Sequence, residues 1–120
     1  MLSQVGSHSI VRESLKQRIR QYIDNNLCNS ELSNQRIADA HHISVRYLYK
    51  LFNDDEETVH TLILNKRLER AHQLLADPAY VGHSIETVAY AIGFTSAAHF
   101  SQAFKKLYGV NPSDVRKSSA

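Results

Sequence analysis

The stretch SIETVAYAIGFTSAAHFSQAFKK, Ser84–Lys106, decides the fold. Ser84 is a strong helix N-cap residue, and a short helix follows it through Ile92. Gly93 then supplies a left-handed turn, which glycine enters without steric cost. Thr95 or Ser96 caps a second helix that runs to Tyr108, and Gly109 closes it. Ala89 is small enough for the two helices to cross closely. Phe94 plugs the corner, and Phe100 and Phe104 hold the second helix against the first. This is the pattern of a helix-turn-helix.

The same pattern occurs earlier, in SNQRIADAHHISVRYLYKLF, Ser33–Phe52. With Ser33 set on Ser84, Ile37 meets Val88, Ala38 meets Ala89, His42 meets Gly93 and Ile43 meets Phe94. One inserted residue later, Leu48 meets Phe100 and Phe52 meets Phe104. Leu32 with Ile37, and Ile43 with Leu48, take the places of hydrophobic staples around Ser33 and Ser44.

Around these copies the apolar spacing is helical throughout and no strand signal occurs. Val11, Leu15, Ile19, Tyr22, Ile23 and Leu27 form one stripe of a first helix over 10–27, with Arg12, Lys16, Arg18 and Arg20 on its other face. Thr58 caps a long helix, Val59 to about Ala76, which Asp77-Pro78 stops. AYVGHS reads as a loop, and Asn111-Pro112 opens a last short helix. The expectation is an all-α chain of about seven helices. Residues 1–9 form a linker or disordered segment, 10–117 the folded domain and 118–120 a tail. Within the domain, 33–53 and 84–108 are the two helix-turn-helix units and 58–76 is the linking helix.

Composition narrows the function. The chain has 120 residues, and 14 Lys+Arg stand against 12 Asp+Glu, so a basic surface must come from local clustering. A single cysteine, Cys28, excludes an intrachain disulfide and reads as a small buried residue in a reducing compartment. No apolar run approaches the length of a membrane span. MLSQVGSHS lacks the apolar core of a signal peptide and reads as an interdomain linker. Seven histidines invite a metal reading, but none forms the i, i+4 pair with a carboxylate used by zinc proteases. No Ser/His/Asp constellation, glycine-rich phosphate loop or carboxylate pair in a plausible pocket stands out, so neither catalysis nor a cofactor is expected.

With these elements in place, the chain resembles the DNA-binding domain of the AraC/XylS family of bacterial transcription regulators. The resemblance covers about residues 10–117. RLERAHQLL (67–75) is similar to the family's linker helix, and SIETVAYAIGFTSAAHFSQAFKKLYGVNPSDVRK (84–117) to its second motif, the most specific part. The resemblance implies sequence-specific binding of double-stranded DNA, with two recognition helices in successive major grooves on one face of the duplex. It places Arg46, Tyr49 and Lys50 at base-reading positions of the first recognition helix, and Ala97, Ala98, Ser101 and Gln102 at those of the second. Contacts to the DNA backbone are expected at Ser33, Ser44, Tyr47, Ser84, Thr95, Ser96, His99 and Lys105, with backbone amides at helix N-termini holding phosphates. RNA polymerase, and a ligand-sensing or dimerisation domain in a longer protein, are the further partners implied. The implied setting is the bacterial cytoplasm, the implied role that of an activator.

Four departures from the family stand out. His42 occupies a turn position where glycine is common, Ala97 and Ala98 carry no donor, the loop 77–83 is longer, and Val115 replaces an aromatic residue. Histidine tolerates positive φ better than most residues, and alanines can only touch thymine methyls.

Three further features have two readings each. One of Tyr47 and Tyr49 packs while the other is exposed, or Tyr49 lies in the groove, which is favoured. The acidic run Asp54–Glu57 compensates a helix dipole, the favoured reading, or meets a protein partner. His99 faces a phosphate or the neighbouring helix. Arg67 is expected to pair near Glu69 or with Asp39, in a structural role. The competing functional class is a helical protein-interaction module without DNA binding. A steep fall of affinity with salt separates the two.

Overall fold

Serine and threonine caps set the helix boundaries in the computed structural model, which describes residues 2–119 and the side chains of 9–117. Seven α-helices and one turn of 3-10 helix occur among the described residues, with no strand. They are α1 (Leu2–Asn25), α2 (Asn34–Ala40), α3 (Val45–Leu51), α4 (Val59–Ala76), α5 (Ile85–Ala91), α6 (Ala97–Tyr108) and α7 (Pro112–Ser119). The hydroxyls of Ser33, Ser44, Ser84 and Ser96 accept the backbone N–H of Arg36, Tyr47, Thr87 and His99 respectively. Thr58 does the same for Thr61. Each pairing satisfies one of the orphan donors of a helix start. At the far end of α6, Gly109 is left-handed, with φ 76°, and donates to Lys105 O at 2.8 Å.

Several boundaries differ from expectation. α1 begins at Leu2, so 2–9 is helical where a linker was expected. No proline interrupts that stretch, and extending a helix that already exists costs far less than starting one. α7 runs through Ser119, into the expected tail. Pro78–Tyr80, inside the expected loop, forms a 3-10 turn in which the Asp77 carboxylate accepts from Ala79 N.

The chain divides into two units. The first contains α1, α2, α3 and the start of α4, up to Ile63. Its core is built from Ile19, Ile23, Ile37, Ala38, Leu48, Leu51, Phe52 and Val59, all buried. Val11, expected in the stripe of α1, is 66 % exposed, whereas Lys16, expected on the outer face, is buried. The Lys16 ammonium lies over the Phe52 ring, 5.3 Å from its centroid, and donates to Asp55 Oδ1 at 2.8 Å. Arg20 donates to Asp55 Oδ2 at 3.1 Å and also covers Phe52. Asp55 is therefore an ion-pair partner of α1.

The second unit contains Leu27–Glu31 and the chain from Leu64 onward. Leu68, Ala71, Leu75, Val88, Ala89, Ile92, Phe94, Phe100, Phe104 and Val115 form its core. Phe100 and Phe104 are fully buried, each contributing about 1.5–3 kcal/mol by leaving water. The rings run in sequence from Phe94 through Phe100 and Phe104 to Tyr108, with centroids 5.1, 5.6 and 4.7 Å apart. Burial raises the Tyr108 pKa, and the negative charge of Glu69 adds to the rise. Arg116 of α7 holds the loop before α5 by donating to the carbonyls of Tyr80 and His83.

Within its own unit Arg67 is held by backbone carbonyls and not by Glu69. Its guanidinium donates to Leu27 O at 2.9 Å and to Asn29 O at 2.8 Å. Burial lowers its pKa, opposed by the neighbouring Cys28. Cys28 itself is exposed, not buried as expected, because the turn after α1 points it outward from the segment that Arg67 holds.

Candidate nucleic-acid interface

In both copies the turn is closed by the same hydrogen bond. Ile43 N donates to Ala38 O at 3.0 Å, and Phe94 N donates to Ala89 O at 3.1 Å. The residue before each donor is left-handed, His42 with φ 57° and Gly93 with φ 101°. Ala38 and Ala89 are fully buried at the crossings. In the first copy the cap Ser44 follows Ile43 directly. In the second, Thr95 intervenes before Ser96. Thr95 is therefore the inserted residue that the repeat requires.

With Leu48 and Leu51 turned into the core, α3 presents Arg46, Tyr47, Tyr49 and Lys50 to solvent. Tyr47 is 41 % and Tyr49 55 % exposed, so neither packs inside. The Tyr49 hydroxyl is nonetheless held, because Asn34 Nδ2 donates to it at 3.0 Å. In α6, Ala98, His99, Gln102 and Lys105 are exposed, while Ala97 and Ser101 are half-buried. Of the expected readers of the second unit, Ala98 and Gln102 are thus fully available and the other two only in part.

The expected backbone contacts divide similarly. Ser33, Ser44, Ser84, Thr95 and Ser96 are exposed. The cap hydroxyls already accept one N–H each, and Ser84 Oγ also gives its own proton to Thr87 Oγ1 at 2.8 Å. A phosphate at these starts would meet the remaining backbone amides rather than the hydroxyls. The His99 ring stands edge-on to Phe94 with centroids 5.7 Å apart. Among the described residues no group of three or more His, Cys, Asp or Glu is placed to hold a metal ion, and no helix is long and apolar enough to cross a membrane.

Asn34 and Arg67 are the residues that sequence reasoning missed or misplaced. Asn34 lies 15 positions from Tyr49, and neither spacing nor composition links them. A groove of about 280 Å³ beside the pair is lined by Asn34, Tyr49, Phe52 and His60, among others.

Residues 37–118 match a family model described as a helix-turn-helix domain. The chain is 34 % identical over 107 residues to the transcriptional activator RhrA of Rhizobium meliloti, covering 89 % of this chain and 32 % of that protein. It is 31 % identical to the transcriptional activator NphR of a Rhodococcus species, covering 86 % of this chain and 30 % of the relative. The chain thus spans about a third of the length of these relatives. Among solved structures it is similar to a DNA-binding transcriptional dual regulator from Escherichia coli K-12, with TM-score 0.76, 30 % identity and 88 % and 97 % of the two chains covered. It is also similar to a transcriptional regulator with an AraC-type DNA-binding domain from Chromobacterium violaceum, with TM-score 0.77, 28 % identity and 90 % and 94 % covered.

Proposed function

The chain belongs to the AraC/XylS family of helix-turn-helix transcription regulators, and from that premise we propose that it reads double-stranded DNA by sequence through the exposed faces of α3 and α6. The observation that carries the reading is the repeated turn. The same closing hydrogen bond, the same left-handed residue and a buried alanine recur in both copies, each followed by a serine-capped helix with a polar outer face. Arg46 and Lys50 supply strong donors for guanine O6 and N7, and Tyr49 supplies a hydroxyl. Ala98 offers a methyl and Gln102 an amide. Ser101 and Ala97 contribute less, being half-buried. Backbone amides at the starts of α3 and α6, with Lys105 and Tyr47, hold phosphates and set the register.

Binding is non-covalent, without a cofactor. In the whole protein the role is activation, as the names of the relatives RhrA and NphR suggest. RNA polymerase and a ligand-sensing or dimerisation domain are its further partners, and the bacterial cytoplasm its setting.

The test is selection of bound sequences from random duplex DNA, followed by titration of the winner against salt. A nucleic-acid reader loses affinity steeply as salt rises, because phosphate contacts release counterions. A protein-interaction module selects no sequence and shows no such slope.

A further inference from the structure

We propose that Asn34 is a specificity-determining residue that acts through Tyr49, fixing the Tyr49 hydroxyl as a hydrogen-bond donor toward the base edge it meets. The inference rests on the DNA-reading function above. Asn34 is the first residue of α2, directly after the cap Ser33. Its side-chain amide donates to the hydroxyl of Tyr49, which lies on the opposite helix of the same helix-turn-helix. Tyr49 is 55 % exposed, so an exposed ring on the reading face is tied at its tip.

A phenol has one proton and two acceptor lone pairs. With an N–H of Asn34 on one lone pair, the proton of Tyr49 cannot turn toward Asn34 and is left for another partner. Accepting that bond also polarises the O–H and strengthens its donation. In the major groove the acceptors are purine N7, guanine O6 and thymine O4, whereas cytosine N4 and adenine N6 carry donors. With its proton kept outward, Tyr49 favours the first set over the second at one base pair, although one lone pair of the hydroxyl stays open. Holding the ring before DNA arrives also reduces the conformational freedom lost on binding.

The test compares wild type with Asn34→Asp, Asn34→Leu, Tyr49→Phe and the Asn34→Leu/Tyr49→Phe double variant. Each is put through selection from random duplexes, and its affinity is read on the wild-type winner and on random DNA. Asn34→Asp is nearly isosteric and decides most. A carboxylate only accepts, so Tyr49 turns its proton inward and presents lone pairs outward. One base pair should then lose its acceptor-edge preference or move toward a donor edge. Asn34→Leu and Tyr49→Phe should relax that same base pair and each weaken specific binding roughly 3- to 10-fold, with less change on random DNA. The double variant should be no worse than the weaker single one, since the pair acts as a unit.

Thermal unfolding of each variant reports whether the bond merely joins α2 to α3. Lower stability with an unchanged base preference overturns the proposal. Equal loss on specific and random DNA overturns it too, because the hydroxyl would then be meeting a phosphate. If wild type selects no sequence at all, the DNA-reading function falls, and this inference with it. If wild type selects a sequence and Asn34→Asp leaves every base preference unchanged, this inference alone falls.

Discussion

Arg67 Nε lies 2.9 Å from the point that a Cβ on Gly93 would occupy. The same guanidinium donates to Leu27 O and Asn29 O. One side chain of α4 thus closes both the segment after α1 and the turn of the second helix-turn-helix. The glycine at 93 answers two demands together, a φ of 101° and the absence of a side chain against Arg67.

Gly93→Ala should therefore cost more than its backbone strain. A non-glycine residue in the left-handed region costs about 1–2 kcal/mol, and shifting Arg67 off its carbonyls adds a similar amount, for a total of roughly 2–4 kcal/mol. Gly109→Ala is the control, since φ is 76° there but no atom lies within 4 Å. It should cost only about 1–2 kcal/mol. Arg67→Met should cost roughly 1–2 kcal/mol, mostly through the part-buried Leu27 carbonyl since Asn29 O can turn to water, and adding Gly93→Ala to it should cost less than the sum, because the clash has gone. Urea unfolding of the four variants measures this. Equal losses for Gly93→Ala and Gly109→Ala would contradict the shared role of Arg67 and Gly93.

What the sequence made legible is local and periodic. Ser33, Ser44, Ser84 and Ser96 act as caps because a short hydroxyl beside an apolar stripe has one low-energy use at a helix start. His42 could be placed in a left-handed turn because the repeat set it against Gly93, and its φ of 57° agrees. What escaped are pairings across long separations. Lys16 sits at a register of α1 that reads as outward, yet its ammonium lies over Phe52 and donates to Asp55, 39 positions away. In sequence Arg67 suggests an ion pair with a carboxylate, but backbone carbonyls, which carry no sequence signature, are its partners. Asn34 and Tyr49 are invisible as a pair for the same reason, since half-buried Asn34 and exposed Tyr49 are each alone an ordinary polar side chain. The exposed faces of α3 and α6 follow from the repeat, but the partial burial of Ala97 and Ser101 depends on how α6 is turned when its own Phe100 and Phe104 enter the core.

The Lys16–Asp55 pair should matter to stability more than an ordinary surface ion pair. Lys16 is 6 % exposed, and Asp55 serves both Lys16 and Arg20. Asp55→Asn leaves the buried ammonium with only the exposed Glu13 as counter-charge and should cost about 2–3 kcal/mol, below the range of a fully buried pair because Asp55 is partly open to water. Glu13, 3.8 Å from Lys16 and largely exposed, is the comparison. Glu13→Gln should change stability by no more than about 0.5 kcal/mol. Chemical unfolding at moderate salt checks the contrast, and equal effects of the two substitutions would refute it.

Arg46 is exposed on α3 and carries the strongest bidentate donor of that face. Arg46→Ala should cost roughly 1–3 kcal/mol on the selected site and relax preference at one or two base pairs. Anisotropy titrations on selected and random duplexes give the answer. A loss of the same size on both would make Arg46 a phosphate contact instead.

The two units should read unequally. α3 offers Arg46, Tyr49 and Lys50, all exposed and all able to donate to a base edge. α6 offers Gln102 as its one fully exposed polar reader, with Ser101 half-buried and Ala98 able only to touch a thymine methyl. Sequence information follows the number of directed hydrogen bonds, whereas methyl contact discriminates weakly. Sites selected from random DNA should therefore contain a sharply defined half matched to α3 and a softer, A/T-tolerant half matched to α6. Arg46→Ala should blur the sharp half and leave the soft half unchanged, while Gln102→Ala should blur only the soft one and cost less specific affinity, about 1 kcal/mol or less. The readout is the base-frequency profile of each selected pool. Two halves of equal sharpness in the wild-type pool, or a larger loss from Gln102→Ala than from Arg46→Ala, would show that side-chain donors on α3 are not what carries the specificity.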